Sequence, residues 1–242
     1  MIERQLDIRT RDGATTTFIT HPEREGPHPV ILFYMDAPAI REELRDMARR
    51  FATGGYYVIL PNLYYRAGVM EIGALGDASV RERMMELMNG LSIDMVMSDT
   101  KALLEFVDGD PAAGNGPMGA VGYCMSGQFS INAAANFPDR FGAAASMYGT
   151  FLVTDQLNSP HLMARKAKGE LYFGCAETDR WAPIETVEAL TKSLAEDKIN
   201  AEVELYPGVE HGFAFPQRAA YDKDAAERHW ERLNALYRRR LG

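Results

Sequence analysis

Apolar residues follow two alternating patterns along the chain. Three runs of five residues, at 30–34, 56–60 and 118–122, are almost continuously apolar and follow proline or glycine. Such runs are typical of strands buried on both faces of a parallel sheet. Shorter apolar runs predict further strands at 143–147, 171–174 and 203–206. The segment 15–20 is rich in β-branched residues and predicts an edge strand after the turn Asp12-Gly13.

Between these runs, apolar residues recur with the spacing of a helix. Helices are predicted at 40–51, 79–89, 93–107, 128–136, 184–196 and 219–241. Strands that alternate with helices predict an α/β fold with a mainly parallel central sheet and helices on both faces. No stretch has the composition of a linker, so residues 1–242 are predicted to form a single domain.

Charge and cysteine content narrow the range of partners and compartments. The chain carries 26 Lys and Arg against 34 Asp and Glu, a net charge of −8, which argues against nucleic acid or an anionic membrane as the main partner. There are two cysteines, Cys124 and Cys175, and no apolar run at the N-terminus. We therefore expect a cytoplasmic protein with reduced thiols. The Cys and His spacings match no zinc pattern, so no metal is expected.

The segment 119–127, Gly-Ala-Val-Gly-Tyr-Cys-Met-Ser-Gly, joins a predicted strand to a predicted helix. Its order of residues matches the nucleophile elbow, a sharp turn of the form G-x-Nu-x-G that exposes a nucleophile at its apex. Cys124 occupies the apex, Gly122 supplies the first small position and Ser126 the second. A cysteine at a helix N-terminus is favoured as the reactive thiolate. Ser126 is a rival nucleophile, but it lies past the apex.

An acid and a histidine follow two later strands, in the chain order nucleophile, acid, histidine. Asp179 lies in the loop after strand 171–174, and His211 lies in the loop after strand 203–206. Sites in open α/β sheets form at such strand ends. His211 would accept the thiol proton, and Asp179 would orient the imidazole. Glu177 is a rival acid and His161 a rival base.

At these segments the chain resembles the dienelactone hydrolase (carboxymethylenebutenolidase) family. The resemblance rests on the Gly-Tyr-Cys of the elbow, the Asp179 loop that ends in Pro183, the turn Glu210-His211-Gly212-Phe213-Ala214, and Pro61-Asn62-Leu63-Tyr64. It implies an α/β-hydrolase fold, a triad of Cys124, Asp179 and His211, and a small-molecule ester or lactone substrate. It also implies that no cofactor is needed.

The resemblance extends to four further positions. Asp36 stands where the family has a glutamate that contacts the resting thiol. Ala37 and Met125 correspond to the two backbone N–H donors of the oxyanion hole, and Arg81 to an arginine that holds the substrate carboxylate. Asp36 is one methylene shorter than glutamate.

The family also has polar and basic residues just after the histidine, where this chain has Gly212 and Phe215. We therefore expect a more apolar pocket than in the family's namesake.

Together these features predict a cysteine-dependent hydrolase that cleaves an ester or lactone through an acyl-enzyme. The protein would be a monomer or a homodimer. A second hypothesis is that the fold serves as a weakly active or non-catalytic ligand-binding module.

Overall fold

The computed structural model describes all residues, 1–242. The chain divides into two compact units, Met1–Gly116 and Pro117–Gly242. Eight strands are present, four in each unit. The prediction of one domain over residues 1–242 stays a prediction.

The first unit contains four strands in the spatial order β1-β2-β4-β3. Their bounds are β1 Ile2–Thr10, β2 Gly13–His21, β3 Val30–Tyr34 and β4 Tyr57–Pro61. The pairs β1–β2 and β2–β4 are antiparallel, whereas β3 runs parallel to β4. Three helices belong to this unit, α1 Glu42–Thr53, α2 Ala78–Asn89 and α3 Ile93–Asp108.

The prediction that residues 15–20 form an edge strand is wrong about the edge. Residues 15–20 do form a strand, as part of β2, but β2 lies between β1 and β4. The edge is β1, which the sequence patterns did not reveal. Its apolar residues Ile2, Leu6 and Ile8 alternate with charged and polar ones, as expected for a strand that is buried on one face only.

The second unit contains four strands in the order β5-β6-β7-β8, and all three pairs are parallel. Their bounds are β5 Met118–Tyr123, β6 Phe141–Met147, β7 Glu170–Thr178 and β8 Ala201–Glu210. The helices are α4 Gly127–Asn136, the short α5 Pro160–Met163, α6 Ile184–Glu196 and α7 Lys223–Leu241. None of the helices of the protein is long and apolar enough to cross a bilayer.

Local capping accounts for several helix starts. The side chains of Asp77, Ser92 and Asp222 each accept a backbone N–H from the first turn of α2, α3 and α7. Such caps satisfy donors that a helix leaves unpaired at its N-terminus. The predicted helices are confirmed, with α1 and α7 beginning two and four residues later than expected.

The outer strand β8 has an irregular and largely exposed course. Pro207 lacks an N–H donor, and Gly208 follows it with a φ of 72°. The pairing of β7 with β8 shifts its register between Ala176 and Thr178. After this shift the two strands end together, with Thr178 opposite Glu210.

Candidate active site

Cys124 lies at the turn between β5 and α4. The residues Cys124–Ser126 form a single 3₁₀ turn that leads directly into α4. The φ of Cys124 is 55°, a left-handed conformation that is strained for a residue with a Cβ. The residue is partly exposed. The turn therefore has the geometry predicted for a nucleophile elbow, with the thiol at the N-terminal end of a helix.

Two glycines make this turn possible. A Cβ on Gly122 would lie 2.0 Å from the carbonyl oxygen of Ser126, and a Cβ on Gly127 would lie 2.3 Å from Oγ of Ser146. Both distances are far inside van der Waals contact. The sequence interpretation gave the second small position to Ser126, which is fully buried. The structure shows that a close backbone approach also occurs one residue later, at Gly127.

We expect Gly122→Ala to lower the free energy of unfolding by about 3 kcal/mol or more, because the added methyl group overlaps a backbone carbonyl that cannot move aside cheaply. Urea unfolding followed by circular dichroism measures the change. Gly116→Ala is the matched control, since no heavy atom lies within 4 Å of the added carbon there. Equal effects of the two substitutions would show that the turn tolerates a side chain.

Asp179 and His211 are brought together by the parallel pair β7–β8. Each follows directly after the last residue of its strand, and those last residues lie opposite each other. Oδ2 of Asp179 accepts a hydrogen bond from Nδ1 of His211 at 2.7 Å. Oδ1 accepts the backbone N–H groups of Trp181 at 2.8 Å and Ala182 at 3.3 Å. These bonds hold the buried carboxylate in one orientation, and the carboxylate in turn fixes the imidazole.

The environment of His211 favours its charged form. Burial of the ring disfavours the charge, but the hydrogen bond to Asp179 and the nearby Cys124 outweigh it and raise the pKa of His211 to about 9. Nε2 of His211 is buried and has no hydrogen-bond partner. The thiol of Cys124 nevertheless lies close enough to His211 to raise the pKa of the imidazole. Catalytic hydrogen bonds often tighten only when a substrate is bound.

The rival candidates are occupied elsewhere. The Glu177 carboxylate accepts the backbone N–H of Gly208 at 2.7 Å and is exposed. The His161 ring bonds to the hydroxyl of Ser159 at 2.8 Å. A further histidine, His229, is fully buried, and its Nε2 lies 2.9 Å from the hydroxyl of Tyr123. No three His, Cys, Asp or Glu side chains form a cluster that could hold a metal ion.

The second cysteine has a different environment. Cys175 lies within β7 and is 4% exposed. Burial, with a smaller contribution from the charge of Asp179, raises the pKa of the Cys175 thiol to about 12. This thiol therefore stays protonated near neutral pH and is a poor nucleophile.

An aromatic ring contacts His211, and sequence reasoning did not single it out. The ring of Tyr148 lies edge-to-face with the imidazole at 5.0 Å between centroids. Tyr148 also contacts Phe213 at 5.2 Å and Phe215 at 6.1 Å. All three aromatic residues are buried. The expectation of an apolar pocket stays a prediction.

Asp36 is part of a buried cluster of charges in the first unit. The guanidinium of Arg41 binds both carboxylate oxygens of Asp36, at 2.6 and 3.2 Å, and also binds Glu43 at 2.6 Å. Asp36 is fully buried. The fork of Arg41 thus pairs with two carboxylates, which the sequence did not indicate. The predicted role of Asp36 at the thiol stays a prediction.

The remaining predicted site residues lie in three different elements. Ala37 is buried, and its carbonyl accepts the hydroxyl of Tyr64 at 2.9 Å. Met125 is buried in the turn directly after Cys124. Arg81 lies on α2, is exposed, and donates to the backbone carbonyls of Leu75 and Gly76 at 2.7 and 2.8 Å. Their functional roles stay predictions.

The sequence was compared with those of known protein families. The sequence profile of the dienelactone hydrolase family matches residues 15–241. The chain belongs to the dienelactone hydrolase family. The resemblance seen in the sequence is thereby confirmed, and the protein is a hydrolase of the dienelactone hydrolase type.

Curated members of this family are similar over nearly their whole length. A protein of Synechocystis sp., provisionally named carboxymethylenebutenolidase, is 27% identical over 93% of this chain and 91% of its own. A protein of Methylorubrum extorquens with the same provisional name is 26% identical over 98% of this chain and 81% of its own.

Solved structures agree on the fold. A provisionally named dienelactone hydrolase from Klebsiella pneumoniae superposes with a TM-score of 0.87 at 24% identity and covers 98% of both chains. Acylaminoacyl peptidase from Pyrococcus horikoshii has a TM-score of 0.74 at 17% identity, over 99% of this chain and 42% of its own. At these identities the likeness shows the fold alone. The predicted α/β-hydrolase fold with a mainly parallel sheet is confirmed.

Proposed function

We propose that this member of the dienelactone hydrolase family cleaves a carboxylic ester or lactone, with Cys124 as the nucleophile. The observation that carries the proposal is the state of His211. Its Nδ1 is bound to a fixed carboxylate, its Nε2 is buried, and the nearby Cys124 raises its pKa. An imidazole held in this way can take up the thiol proton and later release it.

The reaction would proceed in two halves. The thiolate of Cys124 attacks the carbonyl carbon, and the resulting oxyanion is stabilised by the backbone N–H of Met125, with the N–H of Ala37 as the second donor that the family resemblance predicts. Protonated His211 gives its proton to the departing alkoxide, which leaves a thioester on Cys124. Water then attacks the thioester with His211 as general base, and the carboxylic acid is released.

The charge on His211 suits this sequence of steps. A pKa near 9 keeps the imidazole protonated at neutral pH in the resting protein. A proton is therefore available for the leaving group as soon as the thiolate has attacked. The hydrogen bond from Asp179 keeps the ring in one orientation throughout both halves.

We expect the purified protein to hydrolyse p-nitrophenyl acetate, with a burst of p-nitrophenol if release of the acid is the slower half. Rapid acid quenching followed by intact-mass measurement should show one added acetyl group, and peptide mapping should place it on Cys124. Acetylation of another residue would contradict the assignment of the nucleophile. Binding of esters without any turnover would favour the alternative of a non-catalytic ligand-binding module.

A further inference from the structure

The segment between β6 and α5, residues 148–159, contacts the nucleophile through its backbone. The N–H of Thr150 donates to the carbonyl oxygen of Cys124 at 3.0 Å. The next residue, Phe151, has a side chain that is 44% exposed. A large aromatic side chain is thus partly exposed to water one residue after a direct backbone contact with the nucleophile.

The backbone of this segment is strained at both sides of the contact. Tyr148 has a φ of 37° and Phe151 a φ of 56°. Left-handed conformations are uncommon for residues with bulky side chains, and they cluster at ligand-binding and catalytic positions. Asparagine or glycine would relieve the strain at position 151. Position 151 is nevertheless phenylalanine.

Hydrogen bonds fix the segment beyond Phe151, so the ring is not carried on a loose loop. The N–H of His161 donates to the carbonyl of Leu152 at 3.0 Å, and the N–H of Thr154 donates to Oγ of Ser159 at 2.9 Å. Leu152 itself is buried. The backbone of Phe151 is therefore held on both sides. Thr150 is hydrogen-bonded to Cys124, and Leu152 is hydrogen-bonded to His161 in α5.

We infer that Phe151 forms an apolar subsite for the acyl chain of the substrate, so that the site prefers esters of medium-length apolar acids over acetate esters. This inference rests on the proposed function, since it takes Cys124 as the atom that the acyl group joins. An aromatic side chain covers much apolar area at a small entropic cost, which suits it to hold a hydrocarbon chain. The buried ring of Tyr148 contacts His211 and also packs against the buried rings of Phe213 and Phe215, so apolar side chains adjoin the histidine as well.

The inference is tested first by thiol alkylation, which needs no turnover. The second-order rate of labelling of Cys124 is measured with N-ethylmaleimide and N-hexylmaleimide, and peptide mapping separates it from the buried Cys175. In the wild-type protein we expect the hexyl reagent to react about tenfold faster, because an apolar contact favours the longer chain. Phe151→Asn, which suits the left-handed backbone, should bring this ratio close to one.

Leu157→Asn is the matched control. Leu157 lies in the same segment, is apolar and is 93% exposed, but it is six residues away from Phe151 along the chain. Its replacement should leave the hexyl-to-ethyl ratio unchanged. A ratio that is unchanged in Phe151→Asn, or one that falls equally in both variants, would overturn the subsite at Phe151.

Turnover of p-nitrophenyl hexanoate and p-nitrophenyl acetate is the second measurement. Phe151→Asn should lower kcat/KM for the hexanoate by about tenfold and change that for the acetate less than threefold. If the protein hydrolyses neither ester but the labelling ratio depends on Phe151, the proposed function fails and the subsite stands. If both esters are hydrolysed, and Phe151→Asn changes neither the labelling ratio nor the hexanoate-to-acetate ratio of kcat/KM, the subsite fails and the proposed function stands.

Discussion

Replacing Cys124 by alanine is expected to lower kcat/KM for p-nitrophenyl acetate by roughly 10⁴-fold or more. The variant cannot form the thioester, because the remaining thiol, that of Cys175, is buried. The fold should survive, since the substitution removes one sulfur atom from a partly exposed position. Circular dichroism and the midpoint of thermal unfolding check the fold, and initial rates check the activity.

Cys175→Ala provides the matched comparison. Its thiol is buried and protonated, so its loss should change kcat/KM by less than about threefold, although a small cavity in β7 lowers stability somewhat. Equal losses of activity in the two variants would mean that Cys124 acts through packing or redox chemistry rather than as the nucleophile.

Asp179→Asn should have the second largest effect, a loss of roughly 10³ to 10⁴-fold in kcat/KM. The amide has nearly the same shape as the carboxylate, so the backbone N–H groups of Trp181 and Ala182 can still donate to its single oxygen. However, an amide carries no charge to stabilise the imidazolium of His211, and its NH₂ group favours the wrong tautomer of the ring. The variant thus separates the charge of Asp179 from its role in the loop.

The pH dependence of kcat/KM should also change in a defined direction in Asp179→Asn. In the wild-type protein His211 is protonated below a pKa of about 9, so kcat/KM should fall as the pH rises through that value. Without the charge of Asp179 the pKa of His211 decreases, and the alkaline limb of the profile should move to lower pH. An unmoved limb would show that another group controls the profile.

Glu177→Gln is the control for charge in this loop. Glu177 lies two residues before Asp179, is exposed, and bonds to the backbone of Gly208 rather than to a histidine. Its replacement should leave both kcat/KM and the alkaline limb within a few fold of the wild type. A large effect here would make general loop electrostatics the cause.

Much of the fold was predictable because its strands are buried on both faces. The strand Val30–Tyr34 was predicted with the bounds that it has, since every residue in it is apolar and buried. In contrast, β1 is an exposed edge strand with a polar residue at every second position, and a short alternating segment next to the chain terminus gives a weak signal. The strands β7 and β8 extend beyond their apolar runs because backbone pairing continues to the residues before Asp179 and His211.

The parts of the candidate site that lie in short sequence motifs were predictable. The strand, small residues and cysteine of the elbow lie within ten residues, and the chain order places the acid and the histidine at strand ends. The fork of Arg41 on Asp36 and the ring of Tyr148 on His211 depend on contacts that no local pattern encodes. The exposure and strained backbone of Phe151 are likewise properties of the folded segment.

The course of β8 limits how copies of this protein can assemble. An outer strand offers unpaired N–H and C=O groups that could continue a sheet into a neighbouring molecule. Here Pro207 removes one donor and Gly208 turns the backbone away, and the exposed side chains of Glu202 and Glu210 would bring like charges together in a symmetric pairing. A continuous intermolecular sheet through this edge is therefore disfavoured, and a homodimer would have to bury side chains of another surface. The same features protect the strand that leads to His211 from amyloid-like growth.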